Sequence, residues 1–516
     1  MKENVSLVLF VLFVSLTASA KTLIVSKILG GSSYRTINEA SALAIAGDTI
    51  LVMPGLYNEK VVIKNKGNSN NHLVLKSQSD TLAIIDGTGI QMNESGNGLI
   101  NMNKLSFIDI IGFKVTNSTA NGIYASSSDH IRVSDCKTYN TKSSGIGIWS
   151  SSHVLVDSNE VVLACNDGGQ ECISVAGCDS FEICYNNVHH GGPGTNGGEG
   201  IDSKHGQYGW VHNNYVHDLL RLGIYVDAWN VHMHHVWVYN NRVHNCNGWG
   251  IAMANEDGGL LSDVFVYNNI SYKNTMMGIG AEGNTWGEAG QTHQLRNIHI
   301  YNNTCYGNGG TWGGGIHVNG KNCDSIFIRN NILSSNKYSQ LVIENGPTNL
   351  TLENNLIYGT NNLGSASKNQ ITGNPLFIDA ANNDFHLQYK SPAIGKATLS
   401  DCPSFDYDYK TRLDSLGLMP DIGAFEYQIT TGNLENQENA NNVIYPNPTN
   451  EFITIQPDFK GSVEIYNSLG ELELKTSSDD YSQRIDLTHL TNGIYVVKLI
   501  PISGQIKISK LIKAGR

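Results

Sequence analysis

Short apolar segments recur along most of the chain, and apolar and polar residues alternate within them. Residues 236–239, 264–267 and 298–301 show this alternation clearly. A period of two predicts β-strands with one buried face. A residue pair that contains asparagine follows each segment, and between residues 158 and 355 these pairs recur at steps of 24 to 34 residues, most of them 27 or 28. A repeat of that length indicates a solenoid.

A second motif, a Gly-Ile dipeptide that opens another short strand, lies between the asparagine pairs. The motif starts at Gly122, Gly145, Cys172 (in place of glycine), Gly200, Gly223, Gly250, Gly278 and Gly315. Two or three strands per coil, joined by corners rich in glycine and asparagine, predict an all-β fold: a right-handed parallel β-helix over residues 21–428. Asparagine tolerates left-handed corners, and its amide can hydrogen-bond from coil to coil, so we expect the pairs to be structural.

Both ends of the chain differ from the repeats. Residues 1–20 contain an early lysine, an apolar run and a small-residue cleavage site, which predicts a secretory signal peptide. Residues 34–57 predict a short amphipathic helix and a strand. We expect the helix to cap the first coil, whose strand edges would otherwise be unpaired. Residues 429–441 are polar and predict a linker, so that residues 442–516 form a separate domain.

The last domain carries three motifs that belong together. They are YPNP at 445–448, LTNGIYV at 490–496, and lysines at 507, 510 and 513. With these motifs, residues 442–516 resemble the carboxy-terminal sorting domain of the type nine secretion system. The resemblance implies a small β-sandwich that is recognised by the secretion machinery and takes no part in catalysis. It also implies a protein that is secreted or held at the cell surface.

Charge and cysteine content narrow the function classes. The chain has 34 Lys plus Arg against 46 Asp plus Glu, a net charge of −12, and its basic residues do not cluster. A nucleic-acid binder is therefore disfavoured, because phosphate affinity depends on clustered Lys and Arg. An acidic protein can still bind a polyanion through bound cations. We interpret most of the nine cysteines as small buried residues, with one or two disulfides left open.

Aligning the coils on the Gly-Ile motif places the outward-facing residues in columns, and ionisable residues gather in the middle coils. The cluster contains Glu171, Glu199, Asp202, Lys204, Tyr225 and Asp227. Like charges this close raise one another's pKa, so a cation is needed to keep the carboxylates ionised. A solvated acidic patch, partly paired with Lys204, is the alternative interpretation.

The acidic residues of this cluster follow a known pattern. Residues 199–202, of sequence EGID, preceded one coil earlier by ECI at 171–173, resemble the calcium-binding pattern of the family nine polysaccharide lyases, the β-helix pectate lyases. The resemblance implies that Glu171, Glu199 and Asp202 bind Ca²⁺ and that the substrate is a uronate-containing polysaccharide. The lysine base of that family has no counterpart here, because the equivalent positions carry Tyr, Ala, Gly and His.

The implied reaction is β-elimination, in which calcium stabilises the charge that develops when the C5 proton leaves. We expect the base to be Lys204, with its pKa lowered by burial or by a nearby cation, or Tyr225, and Asp227 to complete the catalytic set. The expected substrate-binding residues are Trp149, Trp229, Glu282 and His317.

Two other functions remain open at this point. Asp202 and Asp227 are offset by one coil and two residues, so their Cα atoms are expected ~8 Å apart. Inverting glycosidases hold their carboxylates ~6.5 to 9.5 Å apart, so a glycoside hydrolase is one alternative. A surface solenoid that binds glycans without cleaving them is the other. In each case we expect a monomer.

Overall fold

The computed structural model describes most of the chain. The described residues are 20–28, 34–79, 83–93, 96–167, 169–192, 196–283, 294–359, 368–412, 419–427, 444–445, 447–455, 459–467, 471–478, 484–501 and 507–514. The predicted linker and all but the last residue of the predicted signal peptide lie outside these ranges. The chain divides into two compact units, residues 1–427 and 428–516.

Three parallel sheets build the first unit, and each coil except those at the two ends contributes one strand to each sheet. Sheet 1 contains Thr22–Val25, Thr49–Val52, Leu73–Ser77, Ser106–Ile111, Asp129–Ser134, Ser152–Asp157, Asp179–Cys184, Gln207–His212, His232–Tyr239, Leu260–Tyr267, Gln294–Tyr301, Cys323–Arg329 and Thr351–Glu353. Sheet 2 contains Val61–Val62, Gly98–Asn103, Asn121–Ser126, Ile146–Trp149, Ile173–Ala176, Ile201–Lys204, Ile224–Asp227, Ile251–Ala254, Met277–Glu282, Gly314–Asn319 and Leu341–Glu344. Sheet 3 contains Gly55–Tyr57, Ala83–Asp86, Lys114–Ser118, Lys137–Thr141, Glu160–Val162, Asn187–His189, Tyr215–His217, Arg242–His244, Ile270–Tyr272, Thr304–Tyr306, Ile332–Ser334, Leu356–Tyr358 and Ile371–Thr372. The prediction of a parallel β-helix is confirmed.

The Gly-Ile motif sets the register of sheet 2. Its isoleucines pair with one another from strand to strand and are buried in the core. Because side chains alternate across a strand, the first and the third residue after each isoleucine form the two outward columns. The columns predicted from the sequence are therefore the columns of the fold.

The asparagine pairs divide two tasks between their members. In the pair Asn240-Asn241, Asn240 takes a left-handed backbone conformation, with φ of 53°. Asn241 is fully buried, and its side-chain oxygen accepts hydrogen bonds from the backbone and side-chain nitrogens of Asn214 on the previous coil, both at 3.0 Å. The same ladder passes through Asn186, which is the first member of its pair.

Segments outside the repeats cover parts of the solenoid. The helix Ile37–Leu43 begins with a capping box between Thr36 and Glu39 and buries Ile37 and Ala40 against the first coil, so the predicted N-terminal helix is present. After the last coil, the short strands Phe377–Asp379 and Asp384–Leu387 flank the 3-10 helix Ala380–Asn382. The chain then runs back along the corner that holds the asparagine pairs.

The second unit consists of two small antiparallel sheets. They contain Ile444–Tyr445, Phe452–Ile455 and Arg484–Asp486 in one, and Gly461–Tyr466, Leu472–Ser478, Gly493–Pro501 and Lys507–Lys513 in the other. Residues from both sheets share one apolar core, as expected for a β-sandwich. All nine cysteines of the chain are free, and eight of them are buried. None of the helices within the described ranges is long and apolar enough to span a membrane.

Candidate active site

Neighbouring strands of sheet 2 bring four of the predicted site residues together. Asp202 pairs with Tyr225, and Lys204 pairs with Asp227, in the register of two adjacent strands. Their side chains leave the outer face of sheet 2, since the isoleucines of both strands point into the core. This juxtaposition was predicted from the sequence.

Lys204 is the centre of the cluster. Its Nζ lies 3.4 Å from Glu171 Oε1, from Asp202 Oδ2 and from Asp227 Oδ2. The same nitrogen lies 4.8 Å from the centre of the Trp229 ring, so it also contacts an aromatic face. The side chain of Lys204 is 20% exposed, whereas those of Asp202 and Asp227 are 1% and 0% exposed. The ammonium group therefore lies between solvent and the two aspartates.

A small extra sheet places the two glutamates. The strand Gly169–Gln170 pairs with Asn196–Gly197 just before Glu171 and Glu199, which positions these glutamates one coil apart. Glu199 forms an ion pair of 2.9 Å with Arg221, whose side chain is 32% exposed. Arg221 is not among the predicted site residues, because it precedes the Gly-Ile strand and belongs to no outward column.

Residues from the loops after two strands form hydrogen bonds to the cluster. The hydroxyl of Tyr225 donates to Glu256 Oε1 at 3.0 Å, and Asp227 Oδ1 accepts from the backbone N–H of Trp229 at 2.7 Å. Glu256 is also not among the predicted site residues. A signal was present, because Glu256 follows its strand at the same offset at which Trp229 follows the neighbouring strand.

Burial and charge act in opposite directions on these groups. Burial alone would lower the pKa of Lys204, but the charges of Asp202, Glu171 and Asp227 outweigh it and raise that pKa above its ordinary value. The expected lowering of the Lys204 pKa is thus not found in this arrangement. Burial raises the pKa of Asp227 to about 6, against the opposing charge of Lys204. Burial also raises the pKa of Tyr225 well above 10.

The predicted calcium ligands have the right chemistry but already have cationic partners. Carboxylate oxygens are the ligands that Ca²⁺ prefers, and both side-chain oxygens of Asp202 are buried without a hydrogen-bond donor among the described residues. Glu171 and Asp202, however, face Lys204, and Glu199 faces Arg221. Within the described ranges, the three carboxylates also do not form a group whose ligand atoms all lie within 4.8 Å of one another. Calcium binding stays a prediction.

The predicted substrate-binding residues lie at different distances from Lys204. Trp229 touches it, as described above. Trp149 lies two strands away in the same column and donates its ring N–H to Ser174 at 3.1 Å. Glu282 lies two strands beyond Asp227 on the other side and accepts from Asn319 at 3.0 Å.

His317 lies one strand beyond Glu282, with Nε2 3.3 Å from Glu344 Oε2. The structure thus places all the predicted residues on one face but brings only part of them together.

Comparisons with solved structures give parallel β-helix proteins as neighbours. A pectate lyase, Pel9A, is 14% identical with a TM-score of 0.45, over 80% of this chain and 97% of the lyase. The alginate lyase AlyGC of family PL6 is 16% identical with a TM-score of 0.43, over 80% of this chain and 60% of the lyase. XylC, in complex with xylose, is 13% identical with a TM-score of 0.48, over 79% and 98%. These values assign neither a reaction nor a substrate to this chain. No curated protein sequence matches it.

The second unit matches a family model. Residues 443–514 match the secretion system C-terminal sorting domain. They are a sorting signal. The expected destination, outside the cell or at its surface, is therefore confirmed, as is the recognition of the type nine secretion tail.

Proposed function

We propose that the protein is a secreted enzyme that cleaves an anionic, uronate-containing polysaccharide by β-elimination. The observation that carries the proposal is the environment of Lys204, where three carboxylates and one tryptophan ring enclose an ammonium group that still reaches solvent. Removing charged groups from water costs free energy. A hydrophobic cluster of the same volume would stabilise the solenoid at least equally, so stability alone does not account for the charged cluster. Such a cluster on an outer face is therefore expected to serve function.

The cationic groups at the solvent boundary favour an anionic substrate. Arg221 and Lys204 are the more exposed members of the cluster, at 32% and 20%, and both carry positive charge. The protein as a whole has a net charge of −12, so a polyanion needs a local positive region to approach. A uronate carboxylate placed against Arg221 and against calcium held by the neighbouring carboxylates would meet this requirement, with Lys204 and the Trp229 ring beside it.

β-Elimination at a uronate removes the C5 proton, forms the C4–C5 double bond and breaks the bond from C4 to the glycosidic oxygen. Lys204 can accept the proton only as the neutral amine, which the surrounding carboxylates oppose. Calcium bound by Glu171, Glu199 and Asp202 would neutralise those carboxylates. Burial raises the pKa of Tyr225 and keeps its hydroxyl protonated, so this hydroxyl would be available to give a proton to the departing oxygen in place of its hydrogen bond to Glu256.

Burial argues against the hydrolase alternative. Both oxygens of Asp202 and one oxygen of Asp227 are shielded from solvent, and the other Asp227 oxygen accepts from the Trp229 backbone. A glycosidase acid and its partner must both reach the scissile bond. In this arrangement, Asp202 and Asp227 each contact Lys204 Nζ on the side away from solvent, and we assign them as positioning residues.

The proposal is tested on the purified full-length protein with pectate, alginate and a neutral glucan. An increase in ultraviolet absorbance from unsaturated ends, together with new reducing ends, is expected with a uronate polymer only. Reducing ends without the absorbance change would identify a hydrolase, and neither signal would identify a glycan binder.

Variants of Lys204 separate its roles. Lys204→Ala is expected to lower kcat by roughly 10²- to 10⁴-fold, the usual range for loss of a general base. The same variant should bind calcium more tightly, because it removes the ammonium group that neutralises Glu171 and Asp202. Lys137→Ala is the matched control, since Lys137 pairs with Glu160 at 2.7 Å on sheet 3. Calcium affinity that falls or stays the same in Lys204→Ala would contradict the predicted calcium ligands.

A further inference from the structure

A group of three side chains on sheet 1 has the composition of a transition-metal site. Glu182 and Cys184 lie two residues apart on the strand Asp179–Cys184, so both point to the same side. His212 ends the next strand and pairs directly with Cys184. One ligand atom from each residue lies within 4.8 Å of the others, and His212 Nε2 is 2.9 Å from Glu182 Oε1. This group belongs to a different sheet from Lys204.

The second ring nitrogen of His212 is held by a fixed acceptor. Its Nδ1 lies 2.8 Å from Asn213 Oδ1, and the hydroxyl of Tyr409 donates to the same oxygen at 2.6 Å. An amide oxygen can only accept, so Nδ1 donates to Asn213 and Nε2 is the nitrogen that faces Glu182. A lone pair and a carboxylate oxygen 2.9 Å apart repel unless a proton or a metal ion lies between them. Metal-binding histidines are oriented by the same kind of contact.

We propose that Glu182, Cys184 and His212 bind a zinc ion, with a fourth position open to water. Thiolate, imidazole and carboxylate are the ligands that zinc takes in proteins, and the sulfur disfavours calcium and magnesium. Cys184 is 3% exposed, whereas the side chain of Glu182 is 38% exposed, which gives the ion a path into the site. Binding releases the thiol proton of Cys184 to solvent.

A second cluster on the same sheet shows the difference between a metal site and a satisfied hydrogen-bond group. One carboxylate oxygen of Asp129 lies 2.7 Å from His130 Nδ1, and the other lies 2.8 Å from His153 Nδ1. The hydroxyl of Ser152 also donates a hydrogen bond to Asp129. The two imidazole rings stack at 4.2 Å, so their nitrogens cannot both point at one ion in the ring planes. This cluster contains no sulfur and serves as the control.

The test uses the reduced, chelator-treated full-length protein, titrated with Co²⁺ as an optical substitute for zinc. A thiolate ligand gives a sulfur-to-cobalt charge-transfer band in the near ultraviolet, which histidine and carboxylate ligands do not give. We expect this band to saturate at one cobalt per chain and to disappear when zinc is added. Cys184→Ser should abolish the band, whereas Cys402→Ser, which alters the most exposed thiol, and Asp129→Asn should retain it.

Glu182→Gln provides a second variant on the solvent side, in case Cys184→Ser folds poorly. Loss of one anionic ligand should weaken Co²⁺ and Zn²⁺ binding at least tenfold, and the melting temperature should then respond less to zinc than that of the wild type. The proposal is overturned if the wild type gives no band, if Cys184→Ser keeps it, or if Glu182→Gln binds with wild-type affinity. None of these measurements depends on cleavage of a glycan.

Discussion

The two asparagines of one corner should differ strongly in what they contribute to stability. Replacing Asn241 with alanine removes an acceptor of two hydrogen bonds from Asn214 and a donor to Val211 O and Asn269 Oδ1. Asn241 is fully buried, so the two Asn214 donors are left without water as well. A buried polar group without a partner costs about 1 to 3 kcal/mol, which gives about 2 to 6 kcal/mol for the pair.

The neighbouring residue provides the matched control. Asn240 has φ of 53°, a left-handed conformation that asparagine tolerates better than alanine, so Asn240→Ala should cost at most about 1 to 2 kcal/mol. Asn240→Gly relieves that strain, although it loses the 3.3 Å hydrogen bond from Asn240 Nδ2 to Tyr407 O, so it should cost less than Asn240→Ala, which loses the same bond. Asn241 has no such backbone conformation, so its effect must come from the amide alone.

Urea-induced unfolding followed by tryptophan fluorescence measures these differences. All seven tryptophans of the chain precede residue 427, so the signal reports on the solenoid unit. We expect the order Asn241→Ala, then Asn240→Ala, then Asn240→Gly, from most to least destabilised. An Asn241→Ala variant that loses less than about 1 kcal/mol, or less than Asn240→Ala, would refute the buried amide ladder as a source of stability.

Three further predictions concern other parts of the chain. Burial raises the pKa of Glu426 from 4.5 to about 8, although Arg412 lies 3.3 Å away. The protonated Glu426 therefore stabilises the fold fully below pH 4.5, and this contribution is lost as the pH rises through 8. In Glu426→Gln, the melting temperature should therefore depend less on pH between 4.5 and 8 than it does in the wild type. Gly209→Ala should destabilise by about 1 to 3 kcal/mol in urea unfolding, because its Cβ would lie 2.0 Å from Phe181. A chain ending at residue 427 should fold but stay off the cell surface in a fractionation assay.

Local periodicity was sufficient for the fold class and for the register of sheet 2. A period-two pattern requires one buried face, and a dipeptide repeated once per coil aligns every strand that carries it. The pairs Asp202–Tyr225 and Lys204–Asp227 follow from that alignment alone. The member of each asparagine pair that forms the ladder does not follow from the pattern, because two adjacent asparagines look alike in sequence; at residues 186 and 187 it is Asn186.

The direction of the Lys204 pKa shift could not be predicted from the sequence, because it depends on which charged groups lie close to the lysine in the fold. From the sequence, burial and a bound cation suggested a lowered pKa. In the fold, three carboxylates from three coils lie 3.4 Å from its nitrogen, and their summed charge raises the pKa instead. A column predicts which residues are neighbours but not which oxygen atoms converge on one point.

The repeat pattern of the sequence by itself determined the parallel β-helix, the columns of sheet 2 and the separate sorting domain, since each depends on short-range pattern or on a local motif. Only the tertiary structure decided the partners that come from loops. Arg221 and Glu256 reach the Lys204 cluster from outside the columns, and Tyr409 reaches Asn213 from a segment nearly 200 residues later in the chain. Loop length and direction set these contacts, and neither follows a period that can be read from the chain.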